Sequence, residues 1–529
     1  MKNQDKFELA IKEIARKKIK NNAELEKIKK VIAQKLKIAN PSNSKLLEAY
    51  HNLTANKSLR PNRILEHLLV KRKIRSLSGI VVVSVLTKPY SCPGKCIYCP
   101  TQKGIPKSYL DKEPAVMRAI LNKFDPYLQI KSRIKALEAN GHPTDKVDLR
   151  IIGGTWSYYP KKYQTWFIKR CFEAANSCKS KSLKASQDKN EKSFHRIIGI
   201  TIETRPDFID EKEIRNLREL GVTRIELGIQ SIYDDILELN KRGHYVKETT
   251  EAAKLLKNAG FKICFQMMPN LPGANFKRDK KMFEELFNNQ NYRPDMLKIY
   301  PCHILKEAPV YKLIKKLKYK PYTEKELKNL IKFIKKTVPY YVRIQRIIRD
   351  IPAYKIALGL NNISNLRQVI SKEITEEGWK CKCIRCREVR DNYKSKDKLY
   401  LFRQNYNSSG SKEIFLSYET KNRNKLYSLL RLRISNSTIF PALKNAAIIR
   451  EVHTYGHLHP ITSGGQTPAS SIKSPQHKGL GKKLMKEAER IAKKEFGIKK
   501  IAVISGIGVR GYYKKLGYRL KDTYMVKII

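Results

Sequence analysis

Three cysteines that follow a run of β-branched residues have the spacing of an iron–sulfur cluster loop. Cys92, Cys96 and Cys99 lie in KPYSCPGKCIYCPT, directly after IVVVSVL. The CxxxCxxC spacing supplies three thiolates from one loop and leaves one iron of a [4Fe–4S] cluster open to a ligand that is not protein. An open iron can hold S-adenosylmethionine (SAM) for reductive cleavage. The alternatives are isolated thiols or a zinc knuckle, which usually draws on two ligand pairs, and no second pair or histidine lies near this loop.

The elements around the loop predict a parallel sheet. Short apolar strands alternate with helical segments, which indicates βαβ units and a partial (β/α)6 barrel. The predicted strands are 80–86, 147–154, 197–204, 224–231, 261–269 and 296–301, and the predicted helices are 160–176, 210–220, 246–259 and 279–289. The cysteine loop follows the first strand, at the carboxyl-terminal edge where parallel barrels collect their chemistry. Residues 177–193 are polar and basic, which predicts a surface loop or disordered insert without chemistry.

Polar residues and glycines end several of these strands. Glycines let the backbone approach a ligand, so we expect the end of the second strand to hold the amino acid part of SAM, with a tight turn as the alternative. Charged groups at the mouth of a barrel are costly as core, which favours a role near SAM or substrate. The candidates are Gly153, Gly154 and Thr155 on the second strand, Glu203, Arg205 and Asp207 on the third, and Gln230 and Ser231 on the fourth.

A second glycine-containing segment lies near the carboxyl terminus. Gln476, Gly479 and Gly481 immediately precede an amphipathic helix, and backbone N–H groups at a helix start can cradle a pyrophosphate. The strand IAVISG follows, and then VRGYYKKLGY places Tyr512 and Tyr513 on a further helix. This is the order of elements in GNAT-type acetyltransferases, which bind acetyl-CoA at such a loop. A small α/β domain with an idle glycine turn is the alternative.

A further cysteine cluster, CKCIRC, predicts a structural zinc site. Cys381, Cys383 and Cys386 supply three soft ligands, and Cys302 or His303 of YPCH is a candidate fourth ligand. A second iron–sulfur cluster is the alternative. The remaining thiols are expected to be ordinary buried or loop cysteines; they are Cys171, Cys178 and Cys264.

Charge and length indicate a large enzyme that binds a polyanion. The 529 residues predict two or three domains, and a net charge of +60 points to nucleic acid, although lysine-rich faces can also be merely solvated. Residues 1–75 place Phe7, Ile11 and Ile14 at helical spacing among lysines, which predicts a basic helical arm. The sequence has no stretch long enough to span a membrane and no disulfide-like pattern of cysteines, so we expect a soluble protein of the cytoplasm.

Together these segments resemble the catalytic subunit of Elongator and its stand-alone archaeal and bacterial relatives. The resemblance covers about residues 60–529 and is carried by CPGKCIYCP, EPAVMRAI, DPYLQ, IIGGTW, GITIETRPD, ELGIQS, QMMPNLPG, RDIP, CKCIRCREV, REVHTYG, QHKGLG and IAVISGIGVRGYYKKLGY. It implies a radical SAM barrel joined to a GNAT-type α/β domain. Our predicted boundaries are 1–75 for the arm, 76–345 for the barrel, 346–397 for a linker with the zinc site and 398–529 for the GNAT-type domain.

The resemblance also implies an activity, that of a tRNA carboxymethyluridine synthase, which makes 5-carboxymethyluridine at the wobble position from acetyl-CoA and SAM. A 5′-deoxyadenosyl radical would take hydrogen from the acetyl methyl group, and the carbon radical would add to C5 of uracil. A tRNA anticodon stem-loop and an electron donor are then partners, and a second copy of the chain or other Elongator-like subunits stay open. The rivals are a protein lysine acetyltransferase whose barrel is a scaffold and a non-catalytic tRNA-binding protein.

Site residues follow from the same resemblance. Cys92, Cys96 and Cys99 would bind the cluster. The residues expected to meet acetyl-CoA are Lys146, Arg450, Glu451, Val452, His453, Gln476, Gly479, Leu480, Gly481 and Tyr512. Glu451, His453 and Tyr455 are candidates to assist thioester hydrolysis, with Tyr512 and Tyr513 as further catalytic candidates. Lys146 precedes a barrel strand, so it should lie away from the radical site unless the two domains pack around it. Gly511, where many relatives have Asn, and a long loop between Tyr455 and Gln476 depart from the family pattern.

Overall fold

The computed structural model describes residues 3–70, 77–359, 365–390, 393–456 and 479–529, and it begins with four helices. These helices are α1 (Asn3–Ala15), α2 (Asn22–Lys35), α3 (Asn43–Ala55) and α4 (Arg63–Leu69). They bury an apolar cluster of their own that includes Ile11, Ile14 and Leu46. Ile11 and Ile14 are buried on α1 while the basic residues Arg16 and Lys17 just after it stay exposed, so the predicted helical spacing is confirmed. The basic run at 71–75, which ends the predicted arm, lies outside the described residues.

A seven-stranded, fully parallel sheet follows. Its strands are β1 (Val81–Leu86), β2 (Lys146–Ile152), β3 (Arg196–Thr204), β4 (Arg224–Gln230), β5 (Lys262–Met267), β6 (Met296–Ile299) and β8 (Arg343–Ile347), hydrogen-bonded in that order. The six predicted strands are confirmed. The seventh, β8, was missed because its sequence RIQRI places charges between the apolar residues. The short strands β7 (Ile304–Leu305) and β9 (Ile356–Leu358) form a separate antiparallel pair.

Helices connect the parallel strands, as βαβ units require. They are α5 (Pro114–Leu121), α6 (Pro126–Glu138), α7 (Lys161–Asn176), α8 (Leu183–Asn190), α9 (Glu211–Glu219), α10 (Asp234–Leu239), α11 (Val246–Asn258), α12 (Phe276–Asn288) and α13 (Glu324–Thr337). Local caps define several of them. The side chain of Asp125 accepts from the Leu128 N–H at 2.9 Å at the start of α6, and Thr323 and Glu326 form a capping box on α13.

The prediction of a loop or disordered insert at 177–193 was wrong, because α8 occupies residues 183–190. Ser182 caps this helix at the Ala185 N–H, and buried polar side chains hold it in place. Asn190 accepts from the Ile197 N–H at 2.8 Å, and Gln187 donates to the Glu219 carbonyl at 2.8 Å. Hydrogen bonds replace apolar packing here, so a reading based on hydrophobic periodicity could not find the helix.

The carboxyl-terminal part contains a second seven-stranded sheet. Two helices precede it, α14 (Leu366–Glu376) and α15 (Ile384–Arg387). Its strands are β10 (Tyr400–Ser408), β11 (Ser411–Glu419), β12 (Leu426–Ile434), β13 (Ala447–Thr454), β14 (Lys500–Val503), β15 (Arg519–Lys521) and β16 (Tyr524–Ile528). The helix α16 (Leu480–Phe496) connects β13 to β14, and α17 (Arg510–Lys514) lies between β14 and β15. The strand order is β10-β11-β12-β13-β14-β16-β15. The parallel pair β13 and β14 is joined only over Ala447–Ile449, so β13 continues beyond its neighbour through Arg450–Thr454.

The two sheets meet in a closely packed interface. A Cβ on Gly506 would lie 1.9 Å from the Ile198 carbonyl oxygen of β3, and one on Gly508 would lie 2.7 Å from the Arg196 Cβ, so glycine is required at both positions. Asp295, just before β6, pairs with Arg450 of β13 at the same interface. The arrangement is α/β throughout both sheets, as predicted. Within the described segments no helix combines the length and apolar character needed to cross a bilayer.

Candidate functional site

The cysteine loop lies at the carboxyl-terminal edge of the parallel sheet, directly after β1. Cys96 is buried and its sulfur lies 3.5 Å from the Arg242 Nη1. Burial opposes ionisation of Cys96, but the charge and hydrogen bond of Arg242 outweigh it and lower the pKa of this thiol. Burial raises the pKa of Cys99 to about 12. The Ile97 N–H donates to the Asn240 carbonyl at 3.1 Å, which fixes the middle of the loop.

The loop fits an iron–sulfur cluster by its donor set and by the spacing of its cysteines. All three ligands are thiols, and a fixed guanidinium stabilises the thiolate of one of them. The CxxxCxxC spacing of these thiols leaves one iron of such a cluster without a protein ligand.

Two glycines and a threonine lie beside the cysteine loop. Gly153 has φ +127° and Gly154 has φ +75°, a region that favours glycine. A Cβ on Gly153 would lie 2.1 Å from the Thr87 Oγ1, whereas one on Gly154 would meet nothing within 4 Å. The Thr155 hydroxyl lies 3.8 Å from the Cys92 sulfur. Gly153 thus serves packing, and Gly154 leaves open space next to the loop.

The charged residues at the end of β3 divide into two groups. Glu203 lines a large cavity and accepts a hydrogen bond from the Tyr109 hydroxyl at 2.7 Å. Arg205 instead forms a two-point contact with Asp207 at 2.9 and 2.7 Å and does not line that cavity. A Cβ on Gly94 would lie 2.4 Å from the Arg205 Nη1, so Arg205 packs directly against the backbone of the cysteine loop.

A charged network in the barrel interior was not predicted from the sequence. Arg150 donates to Glu203 at 2.9 Å and to Glu226 at 2.7 Å, and Lys298 also pairs with Glu226. The side chains of Glu226 and Lys298 are 0% and 1% exposed. Burial opposes ionisation of Glu226, but Arg150 and Lys298 outweigh it and hold its pKa well below the usual range. The sequence did contain an indication of this network, since charged residues stand inside otherwise apolar strands, as Arg150 does in VDLRII and Glu226 in RIELGI.

The extended end of β13 carries a second group of titratable residues. Glu451 accepts from Lys262 at 3.2 Å and from Arg431 at 2.9 Å. Burial opposes ionisation of Glu451, but these two cations keep its pKa below the usual range. Burial lowers the pKa of His453 to about 4, so its imidazole is neutral at pH 7. The ring centres of Tyr455 and His453 lie 4.4 Å apart. Burial raises the pKa of Tyr455, which keeps its phenol protonated.

The described part of the glycine segment forms the start of α16. Gly479 is the N-cap residue and has φ +75°. A Cβ on Gly481 would lie 3.3 Å from the Tyr512 hydroxyl, so Gly481 lets this tyrosine approach the helix start. Tyr512 is partly exposed, whereas Tyr513 is buried in the carboxyl-terminal core. Gln476 lies outside the described residues.

Arg450 and Lys146 differ in their surroundings. Arg450 is buried and donates to Asp295 at 2.9 Å and to the Phe261 carbonyl at 2.9 Å, so its contacts join the two domains. Lys146 begins β2, and its ammonium lies 3.6 Å from Asp145. Both residues line the same cavity as Glu451, so the domains do pack around Lys146.

One cavity of about 1660 Å³ joins the two groups of residues through the barrel interior. At the cysteine end its lining includes Cys99, Glu203 and Gln230. At the other end it includes the residues that follow, namely Lys146, Glu451, Val452, His453, Tyr455, Gly479, Leu480, Gly481, Tyr512 and Tyr513. Among the described residues, fourteen lysines and arginines line it, against six acidic residues, so this part of the lining is strongly electropositive.

Comparisons with known proteins match this two-part architecture. Residues 87–286 match the radical SAM superfamily, residues 294–376 the radical SAM C-terminal domain and residues 472–518 the acetyltransferase (GNAT) family. Elongator complex protein 3 of Homo sapiens is 39% identical over 487 residues, covering 88% of this chain and 87% of that protein. The chain belongs to the Elongator complex protein 3 family.

Archaeal members of the Elongator complex protein 3 family are also similar. The tRNA uridine(34) acetyltransferase of Methanocaldococcus jannaschii is 45% identical over 505 residues, covering 93% of this chain and 91% of that protein. The solved structure of the archaeal Methanocaldococcus infernus Elp3 with an N-terminal deletion has a TM-score of 0.74 at 42% identity, covering 85% of this chain and 99% of that chain. The likeness therefore extends over both sheets.

In this member of the family the CKCIRC cysteines form a compact group of thiols. The ligand atoms of Cys381, Cys383 and Cys386 lie within 4.8 Å of one another, and the Lys335 ammonium donates to Cys386 at 3.4 Å. In the described part of the chain, neither Cys302 nor His303 joins them. Cys302 packs beside Tyr319, and His303 faces Gly359. The suggestion of a fourth ligand from YPCH was therefore wrong.

Proposed function

We propose that this protein forms 5-carboxymethyluridine at the wobble position of tRNA, with acetyl-CoA as the carbon source and SAM as co-substrate. The observation that carries the proposal is the one cavity lined by both groups of candidate residues. A shared cavity lets groups bound at its two ends react without release into solvent. The name tRNA uridine(34) acetyltransferase, given to the relative from M. jannaschii, supports uridine 34 as the target.

At the cysteine end, Cys92, Cys96 and Cys99 would hold a [4Fe–4S] cluster. When bound, the cluster together with SAM supplies the hydrogen-abstracting chemistry of a 5′-deoxyadenosyl radical. The open space at Gly154 and the carboxylate of Glu203 would orient the amino acid and ribose parts of SAM. Gly153, Thr155, Arg205 and Gln230 would complete this end of the site by packing against the loop or by lining the cavity.

At the other end, the start of α16 would hold acetyl-CoA. Backbone N–H groups after Gly479 lack intrahelical partners and suit a pyrophosphate, and the N-terminal end of the helix favours negative charge. Lys482 and Lys515 line this part of the cavity and add positive charge for the phosphates. Tyr512 would close over the ligand beside Gly481, and Lys146 would contact it from the barrel side. Gln476 is expected to join this loop.

The reaction joins the acetyl methyl carbon to C5 of uracil and then cleaves the thioester. The methyl group gives up one hydrogen atom to the 5′-deoxyadenosyl radical, and C5 loses its proton while one electron returns to the one-electron carrier that supplied the electron for SAM cleavage. Neutral His453 would take a proton from the attacking water, because its pKa of about 4 keeps the base form at pH 7. The Tyr455 phenol would donate to the thioester oxygen, and ionised Glu451 would orient Lys262 beside them. The products are the carboxymethyl group and free CoA thiol.

Two further parts of the proposal concern RNA and zinc. The electropositive cavity mouth and the exposed lysines of the four amino-terminal helices would neutralise tRNA phosphates, while splayed anticodon bases enter the cavity. Cys381, Cys383 and Cys386 would hold a structural zinc ion, since their sulfurs are close enough to share one ion. The reducing cytoplasm, where thiols stay free, is the compartment expected for such a protein.

Nucleoside mass spectrometry tests the proposed reaction. Anaerobically reconstituted enzyme is incubated with tRNA, SAM, a reductant and acetyl-CoA labelled with ¹³C at both acetyl carbons. We expect a carboxymethyl nucleoside that contains both labelled carbons, and none when SAM is omitted or when Cys96 is replaced in Cys96→Ala. Labelled acetyl groups on protein lysines, formed without SAM and without any modified uridine, would instead support a protein lysine acetyltransferase.

A further inference from the structure

A chain of polar contacts connects the phenol of Tyr455 to the segment that follows the CKCIRC cysteines. The Arg343 Nη1 on β8 donates to the Tyr455 hydroxyl at 3.3 Å and to a Glu388 carboxylate oxygen at 2.6 Å. The Arg343 guanidinium carbon lies 6.0 Å from the centre of the Tyr455 ring. All three residues line the shared cavity. The barrel strand thus contacts a residue of the acetyl-CoA end directly, and the cysteine segment is connected to it through Arg343.

Backbone hydrogen bonds hold Glu388 and Tyr455 beside adjacent residues of β12. Glu388 follows α15, and the Val389 N–H donates to the Leu426 carbonyl at 2.8 Å. The Tyr455 N–H donates at 2.8 Å to the carbonyl of Tyr427, which is the residue after Leu426. Because Leu426 and Tyr427 are adjacent on β12, the distance between Glu388 and Tyr455 is set by regular backbone pairing.

The cysteine segment is in turn fixed on the barrel. The Ile384 N–H donates to the Val342 carbonyl at 3.0 Å, immediately before Arg343. The Arg390 Nε donates to the second Glu388 carboxylate oxygen at 3.0 Å. Glu388 is therefore held at both oxygens, and its carboxylate is available to fix the guanidinium of Arg343 rather than to move with it.

We infer that Arg343 and Glu388 are positioning residues for Tyr455 in the thioester step. An arginine that donates to the phenol oxygen leaves the phenol O–H free to donate to another acceptor, which here would be the thioester oxygen. Glu388 keeps the guanidinium in the orientation that makes this contact. The inference rests on the proposed function, because it concerns the catalytic role given there to Tyr455.

A double-mutant cycle between Glu388→Gln and Tyr455→Phe tests the inference through tRNA-stimulated hydrolysis of acetyl-CoA. We expect Tyr455→Phe to lower kcat about 100-fold, in the range of general acid catalysis, with little change in KM. Glu388→Gln alone should lower kcat about tenfold, yet less than about twofold in the Tyr455→Phe background, because residues that act through one contact are not additive. Arg343→Lys should retain more activity than Arg343→Gln.

A matched control is Glu495→Gln, which removes the charge from a carboxylate that pairs with Arg403 at 2.7 Å on the surface. It should leave kcat and KM unchanged. If Glu388→Gln lowers kcat equally in the wild-type and Tyr455→Phe backgrounds, or not at all, the inference is overturned. Because this cycle measures hydrolysis of acetyl-CoA rather than the nucleoside product, it decides the coupling even where nucleoside analysis refutes carboxymethylation. Arg343→Lys, in the same cycle, replaces Glu388→Gln if that variant does not fold.

Discussion

Replacing Asp295 should separate the contribution of the interdomain ion pairs from that of ordinary surface charges. Asp295 is 1% exposed, accepts from Arg450 at 2.9 Å and lies 3.5 Å from Arg431. It also accepts from the Ile263 N–H at 2.9 Å, which links it to β5. Asp295→Asn keeps the shape but removes the carboxylate that both buried guanidinium groups share, so that among the described residues Arg450 keeps only Glu413 and Arg431 keeps only Glu451. Removing one partner of a buried pair costs about 3–5 kcal/mol.

Urea unfolding at pH 7, followed by circular dichroism, measures this loss. With a dependence of about 3 kcal/mol per molar urea, the midpoint should fall by about 1–2 M. Asp350→Asn is the control: Asp350 pairs with Arg346 but is 71% exposed, and such pairs contribute about 0–1 kcal/mol. Equal midpoints for wild type and Asp295→Asn would refute the assignment of Asp295 as the link between the domains.

The acid dependence of the same difference has a defined sign. Burial opposes ionisation of Asp295, but Arg450 and then Arg431 outweigh it and lower its pKa. A carboxylate with a lowered folded pKa stabilises the protein above the unfolded value of about 3.9 and loses this effect as pH falls through the folded value. The gap between wild type and Asp295→Asn should therefore be constant from pH 5 to 8 and shrink only below about pH 4.

Three further outcomes are expected. The rate of acetyl-CoA hydrolysis should stay constant from about pH 8 down to pH 5 and fall toward pH 4, because His453 loses its base form only near its lowered pKa of about 4. A fall centred near pH 6.5 would contradict a buried, neutral base. Cys386→Ser should lower zinc measured by elemental analysis without lowering iron, whereas equal loss of both metals would contradict separate centres. Deleting residues 1–75 should weaken tRNA binding and reduce the slope of log K against log salt by about 0.7–0.9 per lost phosphate contact, while SAM cleavage persists. An unchanged slope across a salt series would contradict a role of these residues in RNA binding.

Sequence pattern predicted the parallel barrel because its strands are apolar runs separated by amphipathic helices. It failed where polar residues do the packing. The α8 helix is held by the side chains of Asn190 and Gln187. The polar residues of β8, namely Arg343, Gln345 and Arg346, line the cavity. Both segments have the composition of loops or solvated helices, so tertiary contacts decided their structure.

The candidate site was predictable as a set of motifs but not as an arrangement. The cysteine loop, Glu451, His453 and the glycine segment could be found from residue types and spacing. The cavity that connects them depends on how the GNAT sheet packs against the amino-terminal edge of the barrel, and no local pattern encodes that contact. Arg150, Glu226 and Arg343 were missed for the same reason, since each is a single charge whose role appears only when distant strands meet.

Transfer of deuterium from the acetyl group tests the central claim, that one cavity brings acetyl-CoA and the SAM-cleavage site together. Reconstituted enzyme, tRNA and SAM are incubated with acetyl-CoA deuterated at the methyl group, and the 5′-deoxyadenosine product is analysed by mass spectrometry. The account predicts one deuterium in 5′-deoxyadenosine for each carboxymethyluridine formed. Carboxymethyluridine formed together with unlabelled 5′-deoxyadenosine would contradict it, because the hydrogen would then come from a group other than the acetyl methyl.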